Sequence, residues 1–345
     1  MGIESVGAAL GAFLISLVLT KTIRKIALAH GILDVPNARS SHVIPTPRGG
    51  GVAIVVGTAV AVVALAITGI VPLPTVAIFV VGGTAVAVVG FLDDRIRLSA
   101  RVRLAVHFGA AGAAMYWIGG LPPMQIGERL VSFGWDGYVL GVLGIVWSLN
   151  LFNFMDGIDG IAASQGTFMT FAGAAIALGT GVAGPFPVLA MVVGMASLGF
   201  LVWNWPPAKI FMGDAGSGYL GYVLAILALL AGREAATGLL VWLILGGLFF
   251  VDATVTLARR LARRERVYEA HRSHAYQWLA RRWRSHRRVT LLANAINVMW
   301  LFPCAWLAAI HPDRAAWIAL LALTPLAAGA VIAGAGRKES VETPG

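Results

Sequence analysis

The sequence predicts an all-α polytopic membrane protein with ten to eleven transmembrane helices and a functional site on its cytoplasmic loops. Hydrophobic residues make up 58% of the 345 residues and charged residues only 12%, whereas a soluble domain carries about 25% charged residues. Apolar runs of roughly 17–25 residues, long enough to cross a bilayer as helices, recur along the chain. We therefore treat residues 1–345 as one integral membrane domain without a separate soluble part.

Eleven apolar runs are the candidate spans, and the third, fifth and eighth of them are short. The runs are Ile3–Thr20, Gly51–Ile70, Thr75–Phe91, Leu104–Ile118, Tyr138–Phe152, Ile161–Gly181, Phe186–Val202, Gly218–Ala231, Thr237–Ala258, Val289–Ile310 and Ala315–Gly334. No internal repeat is evident among them. The polar residues are concentrated in the connections between them.

The positive charge is concentrated on one face of the predicted bundle. When the runs alternate in direction, all Lys and Arg except Arg129, Arg233 and Arg314 fall on one side. By the positive-inside rule this side is cytoplasmic, so the N-terminus of the multi-pass protein lies outside and its C-terminus inside. The net charge of +10 then reflects topology and attraction to anionic headgroups, so nucleic acid is not an expected partner. The single cysteine, Cys304, excludes disulfides.

Two adjacent aspartates, Asp93 and Asp94, end the third run in the segment GFLDDR. Neighbouring residues on a helix do not share a face, so both would serve one site only near a helix end or turn. Acids at membrane depth are usually functional. The alternative is a solvated helix boundary whose charge Arg95 and Arg97 neutralise.

The segment NFMDGIDG places Asn153, Asp156 and Asp159 at positions i, i+3 and i+6. On a continuing helix these side chains would form one slowly rotating stripe that aims an amide and two carboxylates at a common point. Gly157 and Gly160 would let a ligand or a second backbone approach closely. The alternative is helix capping, in which an Asp satisfies free backbone N–H groups.

Asp214 lies between Gly213 and Gly216, directly before an apolar run. Such a turn exposes backbone N–H groups at a helix N-terminus, where phosphate binds. A carboxylate there would repel phosphate unless a hard cation such as Mg²⁺, which takes carboxylate and phosphate oxygens, lay between them. The alternative is that Asp214 only caps the helix.

The longest cytoplasmic loop contains His271 and His274 with Arg272 between them. Two histidines could bind zinc, but no third ligand lies nearby in the sequence and the arginine would oppose a cation. A cluster of His and Arg that faces phosphate suits the loop better.

The polar loop NARSSHVIPTPRGGG enters the second run through three glycines. Four residues in this loop could contact a ligand, namely Ser40, Ser41, His42 and Arg48. Taken alone, however, the loop is equally well a flexible connector.

Taken together, these segments resemble a known family. The motifs GFLDDR, NLFNFMDGIDGIA, KIFMGDAGSGYLG and HRSHAYQ, in this order, are similar to the cytoplasmic motifs of the polyprenyl-phosphate N-acetylhexosamine-1-phosphate transferases (glycosyltransferase family 4). The resemblance extends from Asn37 to Gln277. It implies transfer of an N-acetylhexosamine 1-phosphate from a UDP-N-acetyl sugar to undecaprenyl phosphate, a membrane lipid, with release of UMP.

The resemblance also implies roles for the candidate residues. Asp214 matches the family's principal Mg²⁺ ligand, assisted by Asp156 or Asp159, with Mn²⁺ as a substitute metal. Asp93 or Asp94, which match the paired aspartates, would position or deprotonate the lipid phosphate. The residues expected to contact the substrates are Asn153, His271, Arg272, His274, Ser41 and His42. A homodimer is left open.

Departures from one branch of the family narrow the substrate. The segment PTPRGGG differs from the Pro-Thr-Met-Gly-Gly of the phospho-MurNAc-pentapeptide transferases of peptidoglycan synthesis. The loop HRSH likewise differs from their His-His-His, and their loop lysine has no counterpart. The sequence is more similar to the branch that initiates O-antigen, lipopolysaccharide or other surface glycans, whose donors include 6-deoxy sugars such as FucNAc and QuiNAc. The peptidoglycan enzyme is kept as the alternative.

A secondary transporter or lipid flippase is the rival from another functional class. Transporters place charged sites near mid-membrane, often in repeated halves. Here the acids cluster at one face, and the sequence has no recognisable half-repeat. A third hypothesis is a non-catalytic scaffold for glycan assembly. Such a protein would keep its function after loss of every aspartate named above.

Overall fold

The computed structural model describes residues 2–36, 44–96, 98–182, 184–235, 238–265 and 271–338. The molecule is 76% helical. Within the described residues the strands form two small antiparallel sheets of two strands each. The all-α polytopic fold that the composition predicts is confirmed.

The helices follow the predicted spans. In chain order they are α1 (Ile3–Ala29), α2 (Val52–Ile67), α3 (Leu73–Ile96), α4 (Ala100–Ile118), α5 (Asp136–Met155), α6 (Ile161–Gly179), α7 (Phe186–Asn204), α8 (Asp214–Glu234), α9 (Gly238–Leu245), α10 (Gly247–Ala262), α11 (Ala275–Trp283), α12 (His286–Ile310) and α13 (Ala315–Ala333). The strands are β1 (Leu33–Asp34), β2 (Thr46–Pro47), β3 (Met124–Ile126) and β4 (Arg129–Val131). Helices α3 and α12 each contain a short π-helical segment.

Eight helices in the described part of the chain are long and apolar enough to cross a bilayer, or nine if the bent pair α9–α10 is one span. This pair bends by 73° around Gly246. Each predicted run corresponds to one helix or, for the ninth run, to the bent pair. Helix α2 has only 16 residues, and neither it nor α4 is among the eight, so the number eleven stays a prediction.

Helix α8 is the most buried candidate span and packs along α5 and α3. Its Tyr219 and Tyr222 are fully buried. A Cβ on Gly90 of α3 would lie 2.5 Å from the carbonyl carbon and oxygen of Asp214, so only glycine lets the two helices come this close. The N-terminus of α8 is thereby fixed between α3 and α5.

Backbone hydrogen bonds join two loops at this end of the bundle. Phe211 N donates to Pro47 O (2.8 Å), and Gly51 N donates to Met212 O (2.9 Å). A Cβ on Gly51 would lie 2.4 Å from Gly216 Cα, so the close approach again requires glycine. The pairing holds the loop after β2 beside the start of α8.

A buried acid anchors α11 to the bent pair. Asp252 of α10 accepts hydrogen bonds from the backbone N–H groups of Ala275 (2.9 Å) and Tyr276 (3.1 Å), the first two residues of α11. The hydroxyl of Tyr276 donates to Phe154 O near the end of α5 (2.9 Å). The start of α11 is therefore held against the same end of the bundle as Asp214.

Candidate active site

A cavity of about 230 Å³ lies where the ends of α5 and α8, the start of α11 and the loop after β2 meet. Six of the residues predicted to contact a ligand or metal line it, namely Arg48, Asn153, Asp156, Asp159, Asp214 and Arg272. The lining also includes the polar residues Asp34, Asn204, Ser217, Gln277 and Arg281. The predicted convergence of distant loops on one site is therefore present in the fold.

Other predicted site residues lie elsewhere. Asp93, Asp94, His271 and His274 are not part of the cavity lining. Asp94 nevertheless forms an ion pair with Arg48, which does line the cavity. Ser40, Ser41 and His42 are outside the described residues. The contacts of these three residues with substrate stay predictions.

Asp214 is the first residue of α8, and Gly213 before it has a φ of +77°, which favours glycine. The start of the helix is capped from another helix, because Asp94 Oδ2 accepts a hydrogen bond from the backbone N–H of Asp214 (2.9 Å). One of the free N–H groups at a helix N-terminus is thereby satisfied. The carboxylate of Asp214 lines the cavity, which favours a binding role over capping alone.

Arg48 joins these two acids. Its Nη2 donates to Asp214 Oδ1 at 2.7 Å and lies 2.7 Å from Asp94 Oδ1. Its Nη1 lies 3.9 Å from Asp34 Oδ2. One guanidinium thus faces three carboxylates, so its single positive charge does not neutralise them all.

The paired aspartates separate because adjacent residues on α3 face different directions. Asp93 forms an ion pair with Arg103 of α4, away from the cavity lining. This placement agrees with the boundary alternative for Asp93 but corrects the expected partner. The guanidinium of Arg95 instead lies over the ring of Phe91 (4.7 Å), and Arg97 is outside the described residues.

The predicted stripe of Asn153, Asp156 and Asp159 does not form, because α5 ends at Met155. Asn153 lies in the last turn and its Nδ2 donates to Ser217 Oγ of α8 (3.1 Å). Asp156 takes the C-cap position and lines the cavity. These side chains therefore reach the cavity from a helix end and a turn, not from one helical face.

The surroundings of Asp156 favour an uncharged or cation-bound carboxyl group. Burial raises the pKa of Asp156 well above its usual range; Arg48 lowers it, and Asp214 and Asp94 raise it further. A partly buried carboxylate among like charges is stabilised by a proton or by a bound cation. Asp156 is thus suited to hold a cation at the cavity.

Asp159 braces the loop between α5 and α6. One of its carboxylate oxygens, Oδ2, accepts a hydrogen bond from Ala208 N (3.0 Å), and Oδ1 lies 3.1 Å from His286 Nδ1. Its carbonyl accepts from Thr290 Oγ1 (2.8 Å). Both carboxylate oxygens therefore have protein partners, which favours a positioning role over direct metal binding.

The histidine loop is organised differently from the prediction. His274 is 1% exposed and occupies the N-cap position of α11, where it forms a reciprocal capping box with Gln277. Its Nδ1 lies 3.4 Å from Asp252 Oδ1. Because the side chain is buried and held by its own protein partners, this placement supports an anchoring role for His274 and not a phosphate contact.

His271 and Arg272 differ in whether they can supply positive charge to the cavity. Burial lowers the pKa of His271 to about 4, and His274 and Arg260 act in the same direction. The imidazole is therefore neutral at pH 7 and supplies no positive charge to a phosphate. Arg272 is the member of the predicted trio that lines the cavity.

Three organising residues escaped the sequence analysis, namely Ser217, Asp252 and His286. Asp252 gave a usable signal, because an acid inside an apolar run is rarely without function. Ser217 and His286 gave none, since their roles depend on contacts with Asn153 and Asp159, which lie 64 and 127 residues away in the sequence.

A family model described as glycosyl transferase family 4 matches residues 76–232 of this chain. The matched region starts within α3 and ends within α8. It contains the aspartates of the first three motifs, namely Asp93, Asp94, Asp156, Asp159 and Asp214.

Curated relatives are similar over most of the chain. A "Probable undecaprenyl-phosphate N-acetylglucosaminyl 1-phosphate transferase" of Bacillus subtilis is 34% identical over 298 residues, which cover 83% of this chain and 81% of that protein. The decaprenyl-phosphate N-acetylglucosaminephosphotransferase of Mycobacterium tuberculosis is 30% identical over 317 residues, 82% of this chain and 77% of that protein. A phospho-N-acetylmuramoyl-pentapeptide-transferase of Moorella thermoacetica is 33% identical over 223 residues, 60% of this chain and 66% of that protein.

Proposed function

Because the chain belongs to glycosyl transferase family 4, the polyprenyl-phosphate N-acetylhexosamine-1-phosphate transferases, we propose that it moves an N-acetylhexosamine 1-phosphate from a UDP-sugar to undecaprenyl phosphate. An oxygen of the lipid phosphate forms a bond to the phosphorus that carries the sugar. The bond from that phosphorus to the bridging oxygen breaks, and UMP leaves with the electron pair. The observation that carries the proposal is the convergence of Asp156, Asp214, Asn153 and Arg272 on one cavity.

The charge of the cavity suits a diphosphate only if a cation joins it. Asp156 and Asp214 line the cavity with Asp34, and these carboxylates would repel the donor. Arg272 and Arg281 line it too and would face the phosphates. Arginine is well suited to this task because its planar fork donates two parallel hydrogen bonds to phosphate oxygens.

The residues present fit Mg²⁺ shared with substrate. Within the described residues, no three His, Cys, Asp or Glu side chains form a ready-made metal site. Mg²⁺ needs none, because it is usually held by one or two carboxylates together with substrate phosphates and water. Asp214 and Asp156 would hold it, with Mn²⁺ as a substitute, and the bound ion would neutralise charge on the donor's diphosphate.

Several residues of the chain would position the reactants. Asn153, steadied by Ser217, would orient the donor. Asp94 would set the position of Asp214 through its hydrogen bond to that residue's backbone. A general base is not essential, because a phosphate monoester has a second pKa of about 6 and is mostly ionised at neutral pH.

The prenyl chain of the acceptor would lie in an apolar groove between α5, α8 and the bent pair. This groove of about 320 Å³ is lined by apolar residues such as Trp147, Leu224 and Phe250. It follows α5 and α8, the two helices whose ends present Asp156 and Asp214 to the cavity. A lipid seated there would bring its phosphate to a water-soluble donor at the cytoplasmic surface of the inner membrane.

The donor is tested by incubating membranes that contain the protein with undecaprenyl phosphate and sugar-labelled UDP-sugars. We expect labelled, solvent-extractable lipid from a UDP-N-acetylhexosamine. UDP-GlcNAc is the first choice because the Bacillus and Mycobacterium relatives are named for that sugar. UDP-FucNAc and UDP-QuiNAc test the 6-deoxy alternative. Such a product would start an O-antigen, lipopolysaccharide or related surface glycan.

Two outcomes would contradict the proposal. Labelled lipid from UDP-MurNAc-pentapeptide alone would assign the chain to peptidoglycan synthesis, as the name of the Moorella relative would suggest. Absence of labelled lipid with every donor would favour a transporter, a flippase or a scaffold.

A further inference from the structure

Arg48 lies where its charge opposes a second cation. Its Nη2 is 2.7 Å from Asp214 Oδ1 and 2.7 Å from Asp94 Oδ1. Asp214 is the residue that holds the metal ion in the proposed function. Arginine cannot be deprotonated in a protein, so its positive charge stays. A divalent ion that binds Asp214 therefore meets a guanidinium already seated on the same carboxylate.

The side chain of Arg48 can turn away while its backbone stays in place. The backbone is bridged to Phe211 and followed by hydrogen bonds from Gly49 and Gly50 to the Phe211 carbonyl (3.1 and 2.9 Å). The side chain lines the cavity and is 35% exposed. A guanidinium released from Asp214 would therefore face the space that the donor's phosphates enter, where it could form a fork of charge-assisted hydrogen bonds.

We propose that Arg48 is an exchangeable counter-ion that couples metal binding to donor binding, an inference that rests on the proposed function. Without the metal, the guanidinium pairs with both Asp94 and Asp214. When a divalent ion binds Asp214, the guanidinium leaves that carboxylate and turns to the phosphates. Metal and nucleotide then favour each other's binding through one side chain, as linkage requires.

The contrasting possibility is a fixed ion pair that only holds the carboxylates in position. The two possibilities predict opposite changes in metal affinity when Arg48 is replaced. A fixed pair, once removed, leaves the carboxylates less well placed and weakens binding of both metal and nucleotide. An exchangeable counter-ion, once removed, strengthens metal binding and weakens nucleotide binding.

The test uses the full-length protein in nanodiscs and two separate affinities. Mn²⁺ affinity without nucleotide is measured by electron paramagnetic resonance, and UDP affinity at saturating Mn²⁺ by equilibrium dialysis. In Arg48→Gln we expect Mn²⁺ to bind about tenfold more tightly and UDP about tenfold more weakly than in the wild type, within the usual range of coupling between sites. Arg48→Lys keeps the charge, so its Mn²⁺ affinity is expected to stay within about threefold of the wild type.

Arg95→Gln is the matched control, since Arg95 is exposed, adjacent to Asp94 in sequence and outside the cavity lining. Both affinities should be unchanged in this variant.

If Arg48→Gln does not fold, Arg48→Met replaces it as the neutral variant. Unchanged or weaker Mn²⁺ binding in the neutral variant would overturn the role of Arg48 but not the proposed function. Mn²⁺ binding in Arg48→Lys as tight as in the neutral variant would do the same. A wild-type protein that binds no Mn²⁺ even with UDP would overturn the metal assignment and the role of Arg48 with it.

Discussion

Two different aspartates cap the start of α8 and present a carboxylate to the cavity. Asp94 performs the first of these tasks and Asp214 the second. Asp94 of α3 accepts the hydrogen bond from the first N–H group of α8, an interaction of the kind that contributes about 1 kcal/mol to stability. Asp214 is therefore not needed as a cap, and its carboxylate lines the cavity. The same residue nevertheless keeps a place at the positive end of a helix.

Replacing Asp214 by Asn should remove activity without unfolding the protein. Asn keeps the shape of the side chain but loses the charge that a hard cation requires. We expect a fall in turnover of at least about 100-fold, since a bound metal contributes several kcal/mol of charge stabilisation. Labelled lipid formation measures the loss, and size-exclusion chromatography with thermal unfolding verifies the fold.

Asp136→Asn is the matched control for this prediction. Asp136 is an exposed aspartate that begins α5 as Asp214 begins α8, but it lies away from the cavity. The control should keep wild-type turnover. If Asp214→Asn worked within a few-fold of the wild type, the metal assignment would be wrong.

At the scale of elements, the contact between α3 and α8 sets the distance on which the site depends. A Cβ at Gly90 would meet backbone atoms of Asp214 at 2.5 Å, and backbone cannot turn away as a flexible side chain can. Asp94 lies one turn after Gly90 on the same helix, so any separation of the helices also stretches its hydrogen bond to Asp214 N.

Gly90→Ala should therefore reduce both stability and turnover. Forcing a methyl group into a packed contact typically destabilises a protein by about 1–3 kcal/mol, which we expect to observe as a lower thermal unfolding temperature in detergent. Gly109→Ala on α4 is the control, because a Cβ there meets nothing within 4 Å and alanine favours a helix. A Gly90→Ala protein with wild-type unfolding temperature and turnover would show that the close contact is not required.

The bent pair α9–α10 is the element that joins the membrane helices to α11. Asp252 of α10 accepts from the first two N–H groups of α11 and from Thr256 Oγ1 (3.0 Å). An acid buried in a membrane helix is thus satisfied by helix capping, and the capped helix presents Gln277 to the cavity. The contacts of Asp252 with the start of α11 therefore explain why His274 serves to anchor the helix.

At the scale of the whole molecule, composition and apolar run length predicted the positions of the apolar helices, because a membrane span must satisfy its backbone hydrogen bonds within itself. Helix α11, which is short and polar, was not predicted. The motifs predicted one shared site, and Asp156, Asp214 and Arg272 line one cavity. Asp93, His271 and His274 do not line it. The motifs did not predict where α5 ends, so the expected stripe of Asn153, Asp156 and Asp159 was wrong although Asn153 and Asp156 still reach the cavity.

Contacts between distant segments account for the rest of what could not be predicted. The position of Arg48 depends on pairing between loops that are more than one hundred residues apart, since its guanidinium meets Asp214 across 166 positions. The burial of His274 depends on Asp252 of another helix. Short-range patterns carry no information about such partners.

The complete fold brings a polar, acid-rich cavity and an apolar groove to the ends and flanks of the same helices, α5 and α8. This arrangement fits a reaction between a water-soluble donor and a membrane-bound acceptor.

The most direct test follows the phosphorus atom. UDP-GlcNAc, or the donor that the panel selects, is labelled with ³²P in the phosphate attached to the sugar and incubated with undecaprenyl phosphate and the purified protein. The account predicts that the label enters solvent-extractable lipid and that an equal amount of UMP is released. Release of labelled UDP with unlabelled glycolipid, or no lipid product at all, would contradict it.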